Sequence, residues 1–288
     1  MNKVGVVILN YLNYKDTIEC IDSLKDESYQ NKEVIIVDNG SNNESFEKIK
    51  EHCKGLKNTY CLKSEENLGF AKGNNIGIEY AVNELNCNFV LVVNNDTIFE
   101  DKNLINNLVE SYEEGVAVIG PRIIAANGLE QNPIKHIIDK QATERHLREC
   151  GEGKSFIKDS AFYRAVIKAK RVIAGRISRE EEHNSKELVL HGACFMLTKD
   201  YFKYYPYLFP GTFLYYEENI ITVLTKKVSL KKKLIDNAYI YHKEDQATEM
   251  SFNNDAGIRR KFYVDSAKEC LKLYDLSYDE IIKEYFKK

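Results

Sequence analysis

Four short polar clusters stand where apolar runs end, and each carries groups that can do chemistry. Asp38 closes the run EVIIVD, where a carboxylate can accept from a ring N–H or a ribose hydroxyl. The same residue can open an Asx turn with Asn39 and Gly40. Asn94-Asn95-Asp96 ends FVLVV, and Asp96 offers a hard oxygen ligand of the kind Mg2+ or Mn2+ takes from protein beside phosphate oxygens and water. That tripeptide is also good turn chemistry. Glu217-Glu218 follows FLYY, and two adjacent carboxylates against apolar surroundings raise at least one pKa, as a general base for a hydroxyl requires. Glu is equally at home in the first turn of a solvated helix. His242 ends YIYH, where a neutral imidazole could complete a metal site with Asp96 or serve only structurally.

A fifth segment, Asn67–Gly77 (NLGFAKGNNIG), matches neither GxGxxG nor the P-loop pattern. Gly73 and Gly77 are four residues apart, so on a helix they share a face and allow close backbone approach. Asn74 and Asn75 add polar groups near the start of that helix.

The elements that position these groups are legible from periodicity. Continuous apolar runs at Val4–Leu9, Glu33–Asp38 and Phe89–Val93 predict buried strands, with Thr59–Lys63 and Val116–Gly120 as further strands. Amphipathic stretches between them predict helices over 16–25, with Asp16 as cap, and over 44–53, 71–85 and 101–114, the last closed by Gly115. Such alternation indicates parallel strands covered on both faces. Ligands of doubly wound sheets bind beyond the carboxyl ends of the strands, where Asn10, Asp38 and Asn94–Asp96 would converge. Later, 188–197 reads as a strand, 214–227 as a helix, 234–242 as a strand, and 257–274 and 277–288 as two helices. Asn127-Gly128 marks a turn, and 155–176 reads as helical.

Composition limits the function. The chain has 288 residues and a formal net charge of -3, without the basic excess of a duplex-binding protein, so no nucleic-acid partner is expected. The 7 cysteines include no CxxC pair, which argues against zinc knuckles and fits a reducing compartment. No apolar run approaches the ~20 residues of a membrane span. The first residues run straight into a strand pattern, so no signal peptide is expected and the location expected is cytoplasmic.

Taken together, VVILNY (Val6–Tyr11), VDNGS (Val37–Ser41), NLGFAKGNN (Asn67–Asn75), NNDT (Asn94–Thr97), HGACFML (His191–Leu197), FLYYEEN (Phe213–Asn219) and YHKE (Tyr241–Glu244) resemble family-2 glycosyltransferases of the GT-A fold, and among them rhamnosyltransferase-like enzymes of bacterial polysaccharide assembly. The resemblance implies an α/β, Rossmann-like, mostly parallel sheet flanked by helices. It implies a glycosyltransferase domain over 1–245, with a nucleotide-binding half (1–120) and an acceptor half (121–245), and a C-terminal helical extension over 246–288.

It implies roles as well. Asn10, Tyr11 and Asp38 would hold the nucleoside, and Lys72, Gly73, Asn74, Asn94 and Asn95 would line the nucleotide cleft. Asp96 would bind Mn2+ or Mg2+ with His242. Gly192 and Ala193 would line the sugar–acceptor region, and Glu218, beside Glu217, would be the general base. The donor would be a UDP- or dTDP-linked sugar and the acceptor a saccharide or lipid-linked saccharide. The basic clusters 231–233 and 259–261 would allow a peripheral membrane contact. This chain departs from the family pattern in having Glu218 for the usual Asp, Ile220 for a second acid, amides at Asn94 and Asn95, and no glycine soon after His242. A sugar nucleotidyltransferase and a non-catalytic sugar-nucleotide-binding protein are the alternatives. The first normally has a glycine-rich basic loop after its first strand, where this chain has NYLNYKD.

Overall fold

The computed structural model describes residues 2–134, 139–150, 187–243 and 255–287. The chain divides into two compact units, one comprising Met1–His136 with Leu188–Lys288, the other Ile137–Glu187. In the smaller unit the described part is helix α5 (Lys140–Cys150), whose start is fixed by Asp139 accepting from the Ala142 amide at 2.6 Å. The sequence expectation for 155–176 lies outside the described residues.

The larger unit is built on one sheet. In chain order its strands are β1 (Val4–Asn10), β2 (Lys32–Asp38), β3 (Thr59–Lys63), β4 (Phe89–Asn94), β5 (Thr97–Ile98), β6 (Val116–Ala125), β7 (Cys194–Leu197) and β8 (Lys231–His242). Their order across the sheet is β3-β2-β1-β4-β7-β6-β8-β5. The first four are mutually parallel, β7 runs antiparallel to both β4 and β6, and β6 and β8 are parallel. The central strands are buried on both faces, so Val4, Val6, Val7, Ile8, Ile35 and Ile36 are all within 1% of full burial. That is why their sequence is continuously apolar rather than alternating. Truncating one of them, such as Ile8, to Ala would cost ~2–5 kcal/mol.

Helices α1 (Tyr14–Ser23), α2 (Ser45–His52), α3 (Gly69–Glu79) and α4 (Leu104–Glu110) fill the crossovers. Close packing of α3 on the sheet depends on its small residues, as their spacing predicts. A Cβ on Gly77 would lie 2.5 Å from Val7, and one on Gly73 would lie 2.8 Å from Leu9. The helix begins at Gly69 with φ +80°, a left-handed conformation that glycine adopts without steric cost. After β7 come α6 (Lys199–Phe202), α7 (Glu217–Lys227), α8 (Ala256–Asp275) and α9 (Tyr278–Ile281). Helix α8 packs on α7, and Ser266 on it donates to the Leu214 carbonyl at 2.7 Å.

Several element boundaries differ from the sequence expectation for identifiable reasons. The cap of α1 is Asn13, which accepts from the Asp16 amide, not Asp16. Helix α4 starts at Leu104 because Asp101 folds into a turn that accepts from the Asn103 amide. Helix α7 starts at Glu217, not near 214, because Tyr215 and Tyr216 hold φ of +74° and +70°. Of the run 188–197, only Cys194–Leu197 is strand. The amides of His191 and Gly192 instead donate to the side chains of Asn132 and Glu218.

Candidate active site

Strand register assembles the first part of the site. Asn10 is the register partner of Asp38, and Leu9 that of Asn94, so the polar ends of β1, β2 and β4 lie level at the carboxyl edge of the sheet. The Asn10 amide donates to Asp38 Oδ2 at 2.7 Å, and Asp38 Oδ1 accepts from the Ser41 amide at 3.0 Å. Asp38 is 1% exposed, so this carboxylate is desolvated and held in one orientation by its donors. One carboxyl oxygen thus makes the Asx turn to Ser41, and the other is held by Asn10. Thr17 Oγ1 donates to Asn10 Oδ1 at 2.8 Å and receives the Asn95 amide at 3.0 Å. Asn95 thus braces the loop after β1 from within, and its amide also reaches the Asn13 carbonyl.

The second part comes from the far edge of the sheet. Short strand β5 pairs antiparallel with β8, setting Thr97 opposite His242. The Lys243 amide donates to the Asp96 carbonyl at 2.9 Å. This pairing brings His242 Nε2 to 3.3 Å from Asp96 Oδ1, although the two are separated by about half of the chain. The contact lacks hydrogen-bond geometry, and Asp96 Oδ1 is sealed from solvent with no hydrogen-bond partner. His242 Nδ1 lies 2.8 Å from Gln131 Oε1, and with that oxygen accepting from Nδ1, Nε2 of the neutral ring presents a lone pair. Two lone-pair atoms facing each other in a buried site call for a positive charge between or beside them. Imidazole nitrogen plus carboxylate oxygen suits a divalent cation whose remaining positions go to phosphate and water. No group of three or more His, Cys, Asp or Glu side chains forms a metal cluster among the described residues, so the protein alone would supply only part of a coordination shell. Lys243 is turned aside to Asp16 at 2.7 Å and to Glu19.

The third part is the start of α7. The Gly192 amide donates to Glu218 Oε1 at 3.0 Å. Ala193 ties the same turn to β4, its carbonyl accepting from the Asn94 amide at 2.9 Å. Glu217 as a residue is half-exposed, but its Oε1 is sealed and without a hydrogen-bond partner. Burial, reinforced by the neighbouring charge of Glu218, holds the Glu217 carboxyl well above the usual carboxylate range. The sequence expectation that one of the pair would be raised is met at Glu217. The two left-handed tyrosines just before it place backbone strain at this corner, of order 1–3 kcal/mol each.

The remaining predicted residues divide. Tyr11 lies half-buried in the loop after β1, whose Leu12 amide donates to Ser41 Oγ at 2.9 Å. Gly73 abuts Asn39, whose side chain clasps Asn67 and the Leu68 amide and so joins the β2 loop to the start of α3. Asn74 is buried and donates back to the Phe70 carbonyl, while Asn75 makes a two-point contact with the Leu208 backbone. Lys72 is exposed on the wall of a cleft with Phe213 and Phe262. Sequence reasoning missed Thr17, Ser41, Gln131 and His191. Ser41 stood within VDNGS, but Gln131 carried no signal. The His191 ring lies edge-on to His242, with centroids 5.8 Å apart. Of the basic clusters, Lys233 pairs with Glu113 and Lys232 donates to Thr222, whereas Arg259–Lys261 follow an exposed Ile258 on α8.

A mixed α/β sheet flanked by helices, with polar groups gathered at the carboxyl edge of its parallel strands, is the GT-A fold of glycosyltransferases. Solved structures agree. The mannosyltransferase PcManGT from Pyrobaculum calidifontis, in complex with GDP-Man and Mn2+, aligns with a TM-score of 0.56 at 10% identity, over 98% of this chain and 74% of that one. S. aureus TarS 1–349 in complex with UDP aligns with a TM-score of 0.56 at 15% identity, over 97% and 68%. The family model for glycosyl transferase family 2 matches residues 5–205, and the chain belongs to that family. Among curated relatives, the low-salt glycan biosynthesis hexosyltransferase Agl10 of Haloferax volcanii is 26% identical over 76% of this chain and 60% of its own length. The glycosyltransferase GlyG of Streptococcus pneumoniae is 30% identical over 38% and 35%. The chain thus spans 60% of the length of the first of these relatives and 35% of the second.

Proposed function

We propose that the chain transfers a sugar from a nucleoside diphosphate to an acceptor hydroxyl with inversion, in the assembly of a bacterial surface glycan. The observation that carries this reading is the pairing of Asp96 Oδ1 with His242 Nε2 at 3.3 Å, both buried, at the carboxyl ends of their strands as the fixed Asp38 carboxylate is. That arrangement suits a ligand with a nucleoside at one end and a dense negative charge at the other. Asp38 and Asn10, with Tyr11 beside them, receive the nucleoside. Asn94 and Asn95 shape the strand end, and Gly73 and Asn74 let α3 approach it. A divalent cation, Mn2+ or Mg2+, held by Asp96 and His242 would offset the charge gathering on the departing diphosphate.

Glu218, oriented by the Gly192 amide, accepts the acceptor's hydroxyl proton as the oxygen attacks the anomeric carbon. The bond from that carbon to the diphosphate oxygen breaks on the opposite face, and the nucleoside diphosphate leaves. Gly192 and Ala193 border the reacting sugar. The transition state has oxocarbenium character, as in glycoside hydrolysis. The base and the sugar are open between uridine, thymidine and guanosine donors. A rhamnosyl donor belongs with the resemblance, a hexosyl one with the Haloferax relative. Ile258 exposed ahead of Arg259, Arg260 and Lys261 gives α8 one surface for a lipid-linked acceptor at an anionic membrane. Failure to co-sediment with anionic liposomes at low salt would remove that membrane contact.

The test of the main reading is incubation with UDP-, dTDP- and GDP-sugars and Mn2+, monitoring free nucleoside diphosphate. Slow release supports the transferase. Pyrophosphate formed from nucleoside triphosphate and sugar phosphate would instead identify a nucleotidyltransferase, and binding without turnover of any donor would identify a sugar-nucleotide-binding protein.

A further inference from the structure

Helix α1 buries Thr17 completely, on the face it shares with Cys20 and Ile21. A threonine in such a place commonly bonds back to the carbonyl four residues earlier. That carbonyl, of Asn13, lies 3.0 Å from Thr17 Oγ1 but also receives the Asn95 amide at 3.2 Å. Asn10 Oδ1 lies nearer, at 2.8 Å, in a fully buried side chain, and no other donor reaches it among the described residues. The one hydroxyl proton therefore goes to Asn10, since a buried acceptor left unmet is costly.

The hydrogen bonds then run in one direction. Asn95 Nδ2 donates to Thr17 Oγ1 at 3.0 Å, Thr17 to Asn10, and Asn10 Nδ2 to Asp38 Oδ2 at 2.7 Å. The groups at the two ends, the Asn13 carbonyl and the Asp38 carboxylate, only accept. Neither amide can turn over without setting oxygen against oxygen. None of the four side chains is more than 5% exposed, and buried donors lined up toward a carboxylate polarise and strengthen one another. An acid at residue 95 would face the Asn13 carbonyl and draw the Thr17 proton away from Asn10, which gives this chain a reason for an amide there.

The series of bonds joins two parts of the site. Asp38 stands at the nucleoside end. Asn95 is the peptide neighbour of Asp96, whose Oδ1 faces His242. Thr17 itself is fully buried and meets no ligand. We propose that Thr17 is a positioning residue of the donor site, its hydroxyl fixing the nucleoside carboxylate through Asn10 and the diphosphate end through Asn95. The naming of those two ends rests on the transferase reading.

Thr17→Val keeps the shape and loses the hydroxyl, whereas Thr17→Ser keeps the hydroxyl and loses the methyl. Calorimetry of the full chain with UDP, dTDP and GDP, in Mn2+ and in chelator, reads the metal-free affinity and the gain from Mn2+. For a nucleotide that the wild type binds, Thr17→Val should weaken the metal-free affinity at least ~5-fold, because Asn10 Oδ1 loses its donor. It should also cut the Mn2+ gain at least ~3-fold, through Asn95. Thr17→Ser should keep both near wild type although its melting temperature falls. A damaging Thr17→Ser with a neutral Thr17→Val, or no change in either, overturns the proposal, because packing alone would then explain the residue. Should Thr17→Val not fold, Asn95→Ala breaks the same series without leaving Asn10 unmet. It should lose Mn2+ gain and retain the metal-free affinity, and an undiminished gain overturns the proposal. A wild type that binds none of the three nucleotides removes the transferase reading itself. Mn2+-assisted binding that Thr17→Val leaves intact removes only the role of Thr17.

Discussion

The backbone amide of Gly192 and the carboxylate of Glu218 meet at 3.0 Å, and no side chain separates them. A Cβ at residue 192 would lie 2.9 Å from that same Oε1. The φ of Gly192 is outside the left-handed region, so alanine fits its backbone. Gly192→Ala therefore displaces the carboxylate without unfolding the turn. Expected is a fall in transfer rate of up to ~10²-fold with donor affinity and melting temperature near wild type, since misplacing a reacting group by about 1 Å carries that cost. A rate equal to wild type would separate Glu218 from the chemistry.

Asp96 and His242 give the second prediction. Mn2+ should tighten nucleoside diphosphate binding at least ~10-fold, about 1.4 kcal/mol. Asp96→Ala should lose most of that gain while leaving the metal-free affinity nearly unchanged. Calorimetry with Mn2+ and with a chelator reads both. Equal wild-type affinity in the two conditions would contradict metal-assisted binding.

Both acidic strand-end residues were legible in the sequence because a long Val/Ile run must be a buried parallel strand, and the polar residue ending it must reach the ligand edge. That places Asp38 and Asp96 at the sheet edge, where a turn is an equal reading of each, and their ligand roles come from the resemblance. The partner of Asp96 was visible as a histidine ending a strand, but Gln131 was not. Its contact with His242 depends on the parallel pairing of β6 with β8, which no local pattern encodes. The run 188–193 looked like strand because it is apolar, yet its amides serve Asn132 and Glu218. The start of α7 was likewise hidden, because positive φ at two tyrosines is imposed by packing and runs against their intrinsic preference.

Glu217 links the site to stability. Its folded-state pKa is raised, by burial first and by Glu218 second. The folded protein therefore holds this proton more tightly than the unfolded chain does. The stabilisation is fully present below the ordinary Glu pKa and is lost as pH rises through the folded one. Glutamine has the same shape and does not titrate. The melting temperature of Glu217→Gln relative to wild type should therefore rise steadily between about pH 5 and pH 8. A difference that is flat across this range would mean that the carboxyl is solvated in the folded protein.

The base itself separates two neighbours. Glu218→Gln should lower transfer by ~10²–10⁴ while donor affinity stays close to wild type, because the amide still accepts from Gly192 but cannot take the hydroxyl proton. Glu217→Gln should cost less. Its Oε1 is sealed from solvent behind the corner that Tyr215 and Tyr216 hold, which leaves one oxygen at most to meet an acceptor hydroxyl. Successive residues on a helix point in different directions, and only Glu218 reaches the Gly192 turn. Transfer rate with a matched donor and acceptor, set beside calorimetric donor affinity for each variant, separates the outcomes. An inactive Glu217→Gln with an active Glu218→Gln would move the base by one residue and make the raised carboxyl of Glu217 the proton acceptor. Near-normal rates in both would place the general base outside this pair.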